Sequence, residues 1–206
     1  MPTGTSRTLS AKGRQTRLAI EQAARKLFAE RGFHGTTLAD ITSSAGRSPA
    51  AFYRYFDDKE DLLAALAESF LHGVLIPSGL NAGLPESPDD TAYFESVVAG
   101  YWNTVKQHIG IMVAVGQLAA TQRRFAELQN EFRRFGSSVV AASVLRAQEQ
   151  GYARDLQPQC VAAAIALLFE QFTTVFLRPS GLGVQVSDED AVATLSTIWK
   201  KTLYGF

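Results

Sequence analysis

The chain has 206 residues, of which 46% are hydrophobic, so it is long enough to bury one substantial core or two small ones. Its formal net charge is zero, but residues 1–60 carry ten Lys or Arg against six Asp or Glu, whereas the rest carries ten against fourteen. A basic N-terminal part on a neutral chain suits one domain that faces DNA and one that does not, as against a merely solvated basic face.

The composition also argues against several classes of protein. Cys160 is the single cysteine, which excludes an internal disulfide and makes a reducing cytoplasm the expected compartment. Residues 1–12 lack the apolar core of a signal peptide, and no run reaches the roughly 18 apolar residues of a membrane span. We find no P-loop, no G-x-G-x-x-G and no Cys/His cluster at metal spacing, so we expect no cofactor, no metal site and no catalytic site.

Residues 1–10 are polar and rich in Thr, Ser and Gly, which is typical of a flexible segment. This basic arm either frays into solvent or reaches a flanking phosphate or the minor groove of DNA. Ser10 is the expected cap of the first helix, whose apolar stripe runs from Ile20 to Phe28. The basic side chains in or just after the arm are Arg7, Lys12, Arg14 and Arg17.

Residues 36–59 predict two short helices joined by a tight turn. Thr37–Asp40 reads as a T-x-x-D capping box at the start of the first helix. Gly46 stands where a helix ends in a left-handed conformation, and Ser48–Pro49 opens the second helix. An αα-hairpin in an ordinary bundle would carry the same caps. The small residues that begin the second helix, flanked by Tyr, Arg and Lys side chains, favour a helix-turn-helix whose second helix enters the major groove of DNA.

Several motifs around this unit occur together in one known family. The pattern TR-x-x-I-x-x-AA-x-x-LF-x-x-x-GF-x-x-TTL-x-x-I covers residues 16–41, and it is followed by AG-x-S at 45–48 and FYRYF-x-x-KE at 52–60. Together they closely resemble the N-terminal domain of the tetracycline-repressor (TetR) family, without a gap from about Thr16 to Leu63.

The resemblance implies an all-α protein of two domains. Residues 1–57 would form a three-helix helix-turn-helix DNA-binding domain that includes the arm. Residues 58–206 would form a helical bundle for effector binding and dimerisation.

The sequence departs from the family at three positions: Arg47 replaces a usual apolar valine, Ala50 a common glycine and Tyr55 a common histidine. We expect Arg47 to extend outward, toward a phosphate or a base, because burying a guanidinium is costly. The predicted DNA-binding residues are Arg14, Thr37, Arg47, Ser48, Pro49, Ala50, Ala51, Tyr53, Arg54, Tyr55 and Lys59.

The next elements are predicted from caps and breakers. Asp58 caps a fourth helix, which the resemblance makes the connecting helix between the two domains. Pro77 is expected to end it, and residues 76–91 to form a mobile loop.

Helical periodicity then resumes. A helix from Thr91 is expected to end near residues 108–110, before a short apolar segment at 111–119. A long helix follows over residues 123–150, on which the pairs Arg123-Arg124 and Arg133-Arg134 are expected to be solvated surface charges.

The last two predicted helices cover residues 159–177 and the segment after Ser187. The first of them is apolar on most sides, so it needs cover on more than one face, which a second subunit would supply. In the resembled family, the last two helices pair with their symmetry mates as a four-helix bundle, and this implies a homodimer.

The resemblance further implies a ligand-responsive chamber in the C-terminal domain. Its aromatic-rich, charge-poor composition indicates a hydrophobic or amphipathic effector, although ordinary core or surface is the alternative for every candidate. Glu170 would meet a cationic or hydroxylated ligand, or else take a partner at the dimer seam. The candidate lining residues are Tyr101, Trp102, His108, Met112, Gln117, Phe125, Phe132, Gln148, Phe169, Glu170 and Phe172.

We therefore predict a cytoplasmic, homodimeric, DNA-binding transcriptional regulator, and most simply a repressor that a small effector releases from an inverted-repeat operator. The alternative is a DNA-binding protein of the same fold without an effector, which acts architecturally or through a protein partner. An enzyme would need paired carboxylates, an E-x-x-H motif or a nucleophile with its base, and the sequence offers none of these.

Overall fold

The computed structural model describes residues 10–80, 83–178 and 183–205, and all regular secondary structure in these ranges is helical. The prediction of an all-α protein is confirmed. The predicted basic arm lies outside the described residues, apart from Ser10. The helices are α1 (Ala11–Arg31), α2 (Leu38–Ser44), α3 (Pro49–Phe52), α4 (Lys59–Phe70), α5 (Ile76–Leu80), α6 (Thr91–Ala119), α7 (Arg123–Glu149), α8 (Pro158–Phe176) and α9 (Asp188–Tyr204).

Most helix starts follow from capping side chains that the sequence predicts. The Ser10 hydroxyl accepts a hydrogen bond from the Gly13 amide at 3.2 Å, and the Asp58 carboxylate accepts one from the Asp61 amide at 2.6 Å. The Ser187 hydroxyl caps α9 in the same way. Each cap satisfies one of the backbone donors that a helix start leaves unpaired.

The prediction that Pro77 ends the connecting helix is wrong. Residues Leu71–Leu75 form one π-helical turn, and α5 continues directly from it, with Pro77 as its second residue. The Ile76 amide donates to the carbonyl of Leu71, five residues back instead of four. A proline removes one backbone donor and crowds the preceding turn, and the wider π turn just before Pro77 accommodates both effects.

The predicted break near residues 108–110 is also wrong, because α6 is continuous from Thr91 to Ala119. Gly110 marks a helix crossing instead of a helix end. A Cβ atom at this position would lie 2.6 Å from the Ala29 backbone nitrogen and 2.7 Å from the Phe28 carbonyl carbon. The glycine therefore lets α6 lie directly against the backbone of α1.

The interior contains two hydrophobic clusters, and α6 and α7 run through both of them. The first cluster joins α1–α4 to the second half of α6 and the first half of α7, through residues such as Ile111 and Phe132. The second joins the first half of α6 and the second half of α7 to α8 and α9, around Trp102 and Trp199. The helix-turn-helix thus shares its core with the helical body that follows it.

Two helical stretches are long and apolar enough to be compared with membrane spans. Lys59–Gly79, which combines α4, the π turn and part of α5, has a mean hydropathy of 1.4, and α8 has 1.5. Both pass a test for membrane spans based on length and composition alone. Core helices of soluble proteins pass the same test, and two such helices are weak support for a membrane span.

Candidate nucleic-acid interface and ligand cavity

The α2–turn–α3 unit has the local geometry that the sequence predicts. The Thr37 hydroxyl accepts a hydrogen bond from the Asp40 amide at 3.1 Å, and the Asp40 carboxylate accepts one from the Thr37 amide at 2.8 Å. Gly46 has a φ of +61°, which an L side chain rarely adopts. The Ser48 hydroxyl caps α3 by accepting from the Ala51 amide at 3.2 Å.

One side of α3 is buried and the other faces solvent. Phe52 and Phe56 are almost fully buried in the first cluster, whereas Tyr53 is 59% exposed. The regular helix ends at Phe52, and a turn follows in which the Tyr55 and Phe56 amides both donate to the Phe52 carbonyl. Tyr55 is half-buried and packs against the first cluster. The other predicted DNA-binding residues that are exposed are Arg14, Thr37, Ser48, Pro49, Ala50 and Arg54, and Ala51 is partly exposed.

Lys59 has internal partners that the sequence did not reveal. Its ammonium nitrogen donates to the carbonyls of Phe33 and Thr36, both at 2.8 Å, and lies 4.1 Å from the centroid of the Phe33 ring. At most one of its three protons is left for a phosphate oxygen. Lys59 therefore ties the start of α4 to the segment between α1 and α2.

Arg47 folds back on the turn instead of extending outward as predicted. Its Nη1 donates to the Gly46 carbonyl at 3.0 Å, and its Nε is buried without a hydrogen-bond partner among the described residues. A buried, unpaired guanidinium nitrogen is costly, so a conformation that offers it an acceptor would be favoured. The Arg47 side chain thus packs within the turn in the absence of DNA.

A cavity of about 540 Å³ lies between α6, α7 and α8, with α5 and the end of the π turn at one side. Its walls are mainly apolar, and mid-helix glycines leave space in them. A Cβ atom added to Gly100 in α6 would meet nothing within 4 Å. Glycine inside a helix costs about 1 kcal/mol relative to alanine, so helix propensity does not explain its presence there.

Six of the eleven predicted ligand-binding residues line this cavity: α6 contributes three of them, α7 one and α8 two. They are Tyr101, Met112 and Gln117, Phe132, and Phe169 and Glu170 in chain order. Tyr101 is half-buried, and its hydroxyl lies 3.3 Å from that of Thr173. Burial raises the pKa of Tyr101 to about 12, so its phenol is neutral at physiological pH.

Five predicted ligand-binding residues do not line the cavity. Trp102 packs in the second cluster and donates from its indole nitrogen to Asp188 at 2.9 Å. Phe125 is buried in the first cluster. Phe172 packs on Phe176, with ring centroids 4.5 Å apart.

The other two serve as structural contacts. The Gln148 amide donates to the carbonyls of Ala153 and Leu156, and so fixes the connection between α7 and α8. The His108 ring stacks on Phe70, with centroids 4.3 Å apart, at the junction of α4 and α6. Burial lowers the pKa of His108. His108 and Gln148 lie on helix faces that carry both polar and apolar side chains. Helical periodicity alone therefore cannot assign either residue to the cavity or to the core.

The polar part of the cavity was missed at Arg133, which the sequence placed among solvated charges. Its Nε and Nη2 donate to the two carboxylate oxygens of Glu170, each at 2.8 Å, and the Gln129 amide donates to the same carboxylate at 3.3 Å. The hydrogen bonds to Glu170 raise the pKa of Arg133. The positions 129, 132, 133 and 136 share one face of α7, so helical spacing from Phe132 was the available signal.

The described residues contain no group of three or more His, Cys, Asp or Glu side chains that could hold a metal ion. Cys160 is exposed at the start of α8. The described residues also present an exposed helix-turn-helix face and an amphipathic cavity.

An exposed helix-turn-helix joined by α4 to a larger helical body defines the class of helix-turn-helix transcriptional regulators. Residues 20–66 match the sequence model of the bacterial regulatory proteins of the tetR family. The chain is 30% identical over 149 residues to the HTH-type transcriptional repressor KstR2 of Rhodococcus jostii, covering 66% of this chain and 68% of that protein. The chain belongs to the TetR family of transcriptional regulators.

Two further comparisons extend over most of the chain. The HTH-type transcriptional regulator EthR of Mycobacterium tuberculosis is 27% identical over 200 residues, which cover 97% of this chain and 92% of that protein. A solved tetR-family regulatory protein from Rhodococcus RHA1 has the same fold, with a TM-score of 0.70 and 21% identity over 92% of this chain and 97% of that one. These relatives are named as transcriptional regulators, and the chain is a DNA-binding regulator and not an enzyme.

Proposed function

We propose that this protein is a cytoplasmic, homodimeric transcriptional repressor that a small hydrophobic or amphipathic effector releases from an inverted-repeat operator. Residues 1–57 would bind DNA, and residues 58–206 would bind the effector and dimerise. The observation that carries the proposal is the exposed side of α3, on which Pro49 and Ala50 present little bulk and Tyr53 is 59% exposed. Small residues let the helix backbone approach base edges, while the flanking Tyr53 and Arg54 donate to phosphate oxygens.

Apolar surface on the last two helices supports the proposed homodimer. Leu167 and Leu168 in α8 are 46% and 39% exposed, and Ile198 in α9 is 39% exposed. A second copy packed on these helices would remove this apolar surface from water. The two DNA-binding domains of the dimer could then bind successive major grooves, with their recognition helices about 34–36 Å apart.

The cavity supports effector control because its walls belong to helices that also touch the DNA-binding part. The helix α6 lines the cavity and crosses α1 at Gly110, and α5 continues the connecting helix α4. A ligand that binds more tightly when these helices are shifted would change the distance between the two DNA-binding domains of the dimer. It would shift the population by its differential affinity for the two states.

The first experiment is selection of duplexes from a random DNA library by the purified protein. We expect inverted repeats whose half-sites lie one helical turn or a multiple apart, bound by two protomers. Selected sequences without symmetry, or binding by a single protomer, would contradict the proposal.

The second experiment is a thermal-shift screen of small molecules, which separates the proposal from a regulator without an effector. An effector stabilises the folded protein by mass action, by about 2.7 kcal/mol at one hundred times its Kd, and this raises the melting temperature. It must also weaken binding to the selected duplex. A library of apolar and amphipathic compounds that yields no such molecule would favour the alternative, a DNA-binding protein regulated by a protein partner or acting architecturally.

A further inference from the structure

The charged groups of the cavity determine which head group a ligand can carry. Glu170 is the only acidic side chain among the described lining residues, and all its contacts are internal. One carboxylate oxygen accepts from both Arg133 and Gln129, and the other accepts from Arg133. Its negative charge is neutralised by a bidentate guanidinium, so a cationic ligand would have to displace Arg133 to pair with it. The expectation of a cationic partner for Glu170 is therefore not favoured.

The charged hydrogen-bonding groups that remain available in the cavity are donors. Arg133 uses only its Nε and Nη2 toward Glu170, which leaves three of its five N–H groups. Arg178 also lines the cavity, is exposed, and has no acidic partner in the described part of the chain. Two cationic and one anionic side chain give the lining a net charge of +1.

The polar and apolar parts of the wall are spatially ordered along α8. Ala166, Phe169, Glu170 and Thr174 line the cavity on successive turns, and Arg178 follows just beyond the helix end. From Ala166 to Arg178 the rise is roughly 18 Å at helical spacing. The facing helices add apolar lining residues, among them Val97, Met112 and Phe132.

We propose that the cavity binds a monoanionic amphiphile, whose carboxylate-like head pairs with Arg178 and the free N–H groups of Arg133 while its apolar chain occupies the space in front of Gly100. The inference rests on the proposed effector role of the cavity and specifies the chemical class of the effector. A planar carboxylate matches the guanidinium fork, and the volume of about 540 Å³ is within the range of small-molecule sites.

Three probes with the same chain and different heads test the inference at pH 7: decanoate and decylamine, each below its micelle concentration, and decan-1-ol below its solubility limit. Binding is measured by isothermal titration calorimetry on the full-length protein, and Trp199, which lines the cavity, gives a parallel fluorescence signal. We expect decanoate to bind about tenfold more tightly than decanol, as a hydrogen bond to a charged group supports, and decylamine to bind most weakly.

Variants locate the head group. Arg178→Gln should lower the affinity for decanoate about tenfold and leave decanol unchanged. Glu170→Gln should tighten decanoate binding, because it releases the charge of Arg133 while keeping a hydrogen-bond acceptor. Arg134→Gln is the matched control, since this exposed arginine follows Arg133 but does not line the cavity, and it should change nothing.

Equal binding of decanoate and decanol, tightest binding of decylamine, no binding of any probe, or an Arg178→Gln variant with unchanged decanoate affinity would each overturn the inference. The proposed function is decided separately, by release of the selected duplex. If decanol releases the duplex as well as decanoate does, the head-group inference is wrong and the effector-controlled repressor stands. If decanoate binds through Arg178 but the duplex is retained, the inference stands and that function is wrong for this ligand class.

Discussion

The same substitution at two glycines of α6 should change stability in opposite directions. Gly100 and Gly110 both lie inside this helix, so Gly→Ala gains about the same helix propensity at each, about 1 kcal/mol. At Gly100 the new methyl group meets nothing within 4 Å, so the gain should be expressed in full. At Gly110 it would lie 2.6–2.8 Å from three backbone atoms of α1, against an ordinary carbon contact of about 3.5–4.0 Å.

The deficit of about 1 Å at Gly110 cannot be relieved by a side-chain rotation, because the neighbouring atoms are backbone atoms of Phe28 and Ala29. The two helices must separate, and overpacking of this kind costs about 1–3 kcal/mol. Since the propensity gain cancels between the variants, Gly110→Ala should be less stable than Gly100→Ala by that amount. In a chain of this length, each kcal/mol shifts the melting temperature by about 2–4 °C.

Urea unfolding followed by circular dichroism, at one fixed protomer concentration, measures the difference directly. We expect Gly100→Ala to be more stable than the wild type by about 1 kcal/mol. A Gly110→Ala variant as stable as Gly100→Ala would refute the argument, because it would mean that α6 does not approach the α1 backbone. Operator affinity of the two variants then reports whether separating α1 from α6 disturbs the DNA-binding face.

Three further outcomes are expected. Tyr53→Ala should weaken binding to all duplexes by about tenfold without lowering the melting temperature, and an unchanged affinity and salt slope in fluorescence anisotropy would count against the placed recognition helix. Lys59→Met should lower the free energy of unfolding by about 2 kcal/mol, since two carbonyls lose a charged donor; urea unfolding at the wild-type value would contradict this. Burial lowers the pKa of His108 in the folded state. The neutral His108 ring therefore contributes fully to the free energy of unfolding above the unfolded-state pKa near 6.5, and this contribution is lost as the pH falls through the folded-state pKa. His108→Phe, which keeps a ring against Phe70, should therefore lose less stability than the wild type between pH 7 and pH 5, and parallel melting curves would argue otherwise.

The helix-turn-helix was predictable because its signals are local. Thr37 bonds to Asp40 and Ser48 to the Ala51 amide, so each cap depends on a residue three positions away. Gly46 needs its left-handed backbone for the turn itself. Such features are contained in a few adjacent letters and do not depend on the rest of the fold.

The failures involve partners that are distant in sequence. Gly110 reads as a helix end until the backbone of α1 is seen against it, and Pro77 reads as a stop until the π turn before it is known. Arg133 reads as a surface charge because Glu170 is 37 residues away. Lys59 reads as a free phosphate ligand because its two acceptors lie 23 and 26 residues earlier.

The first hydrophobic cluster bears on how the protein can be divided for experiments. Ile111, Val115, Phe125 and Phe132 belong to α6 and α7, yet they pack with the buried residues of α1–α4. A fragment cut after residue 57 would lack these side chains, and Phe28 and Phe52 would lose part of their cover. Experiments on the isolated DNA-binding domain therefore require a fragment that keeps the covering helices. Alternatively, the leucines and phenylalanines that the truncation exposes must be replaced before the fragment is expressed.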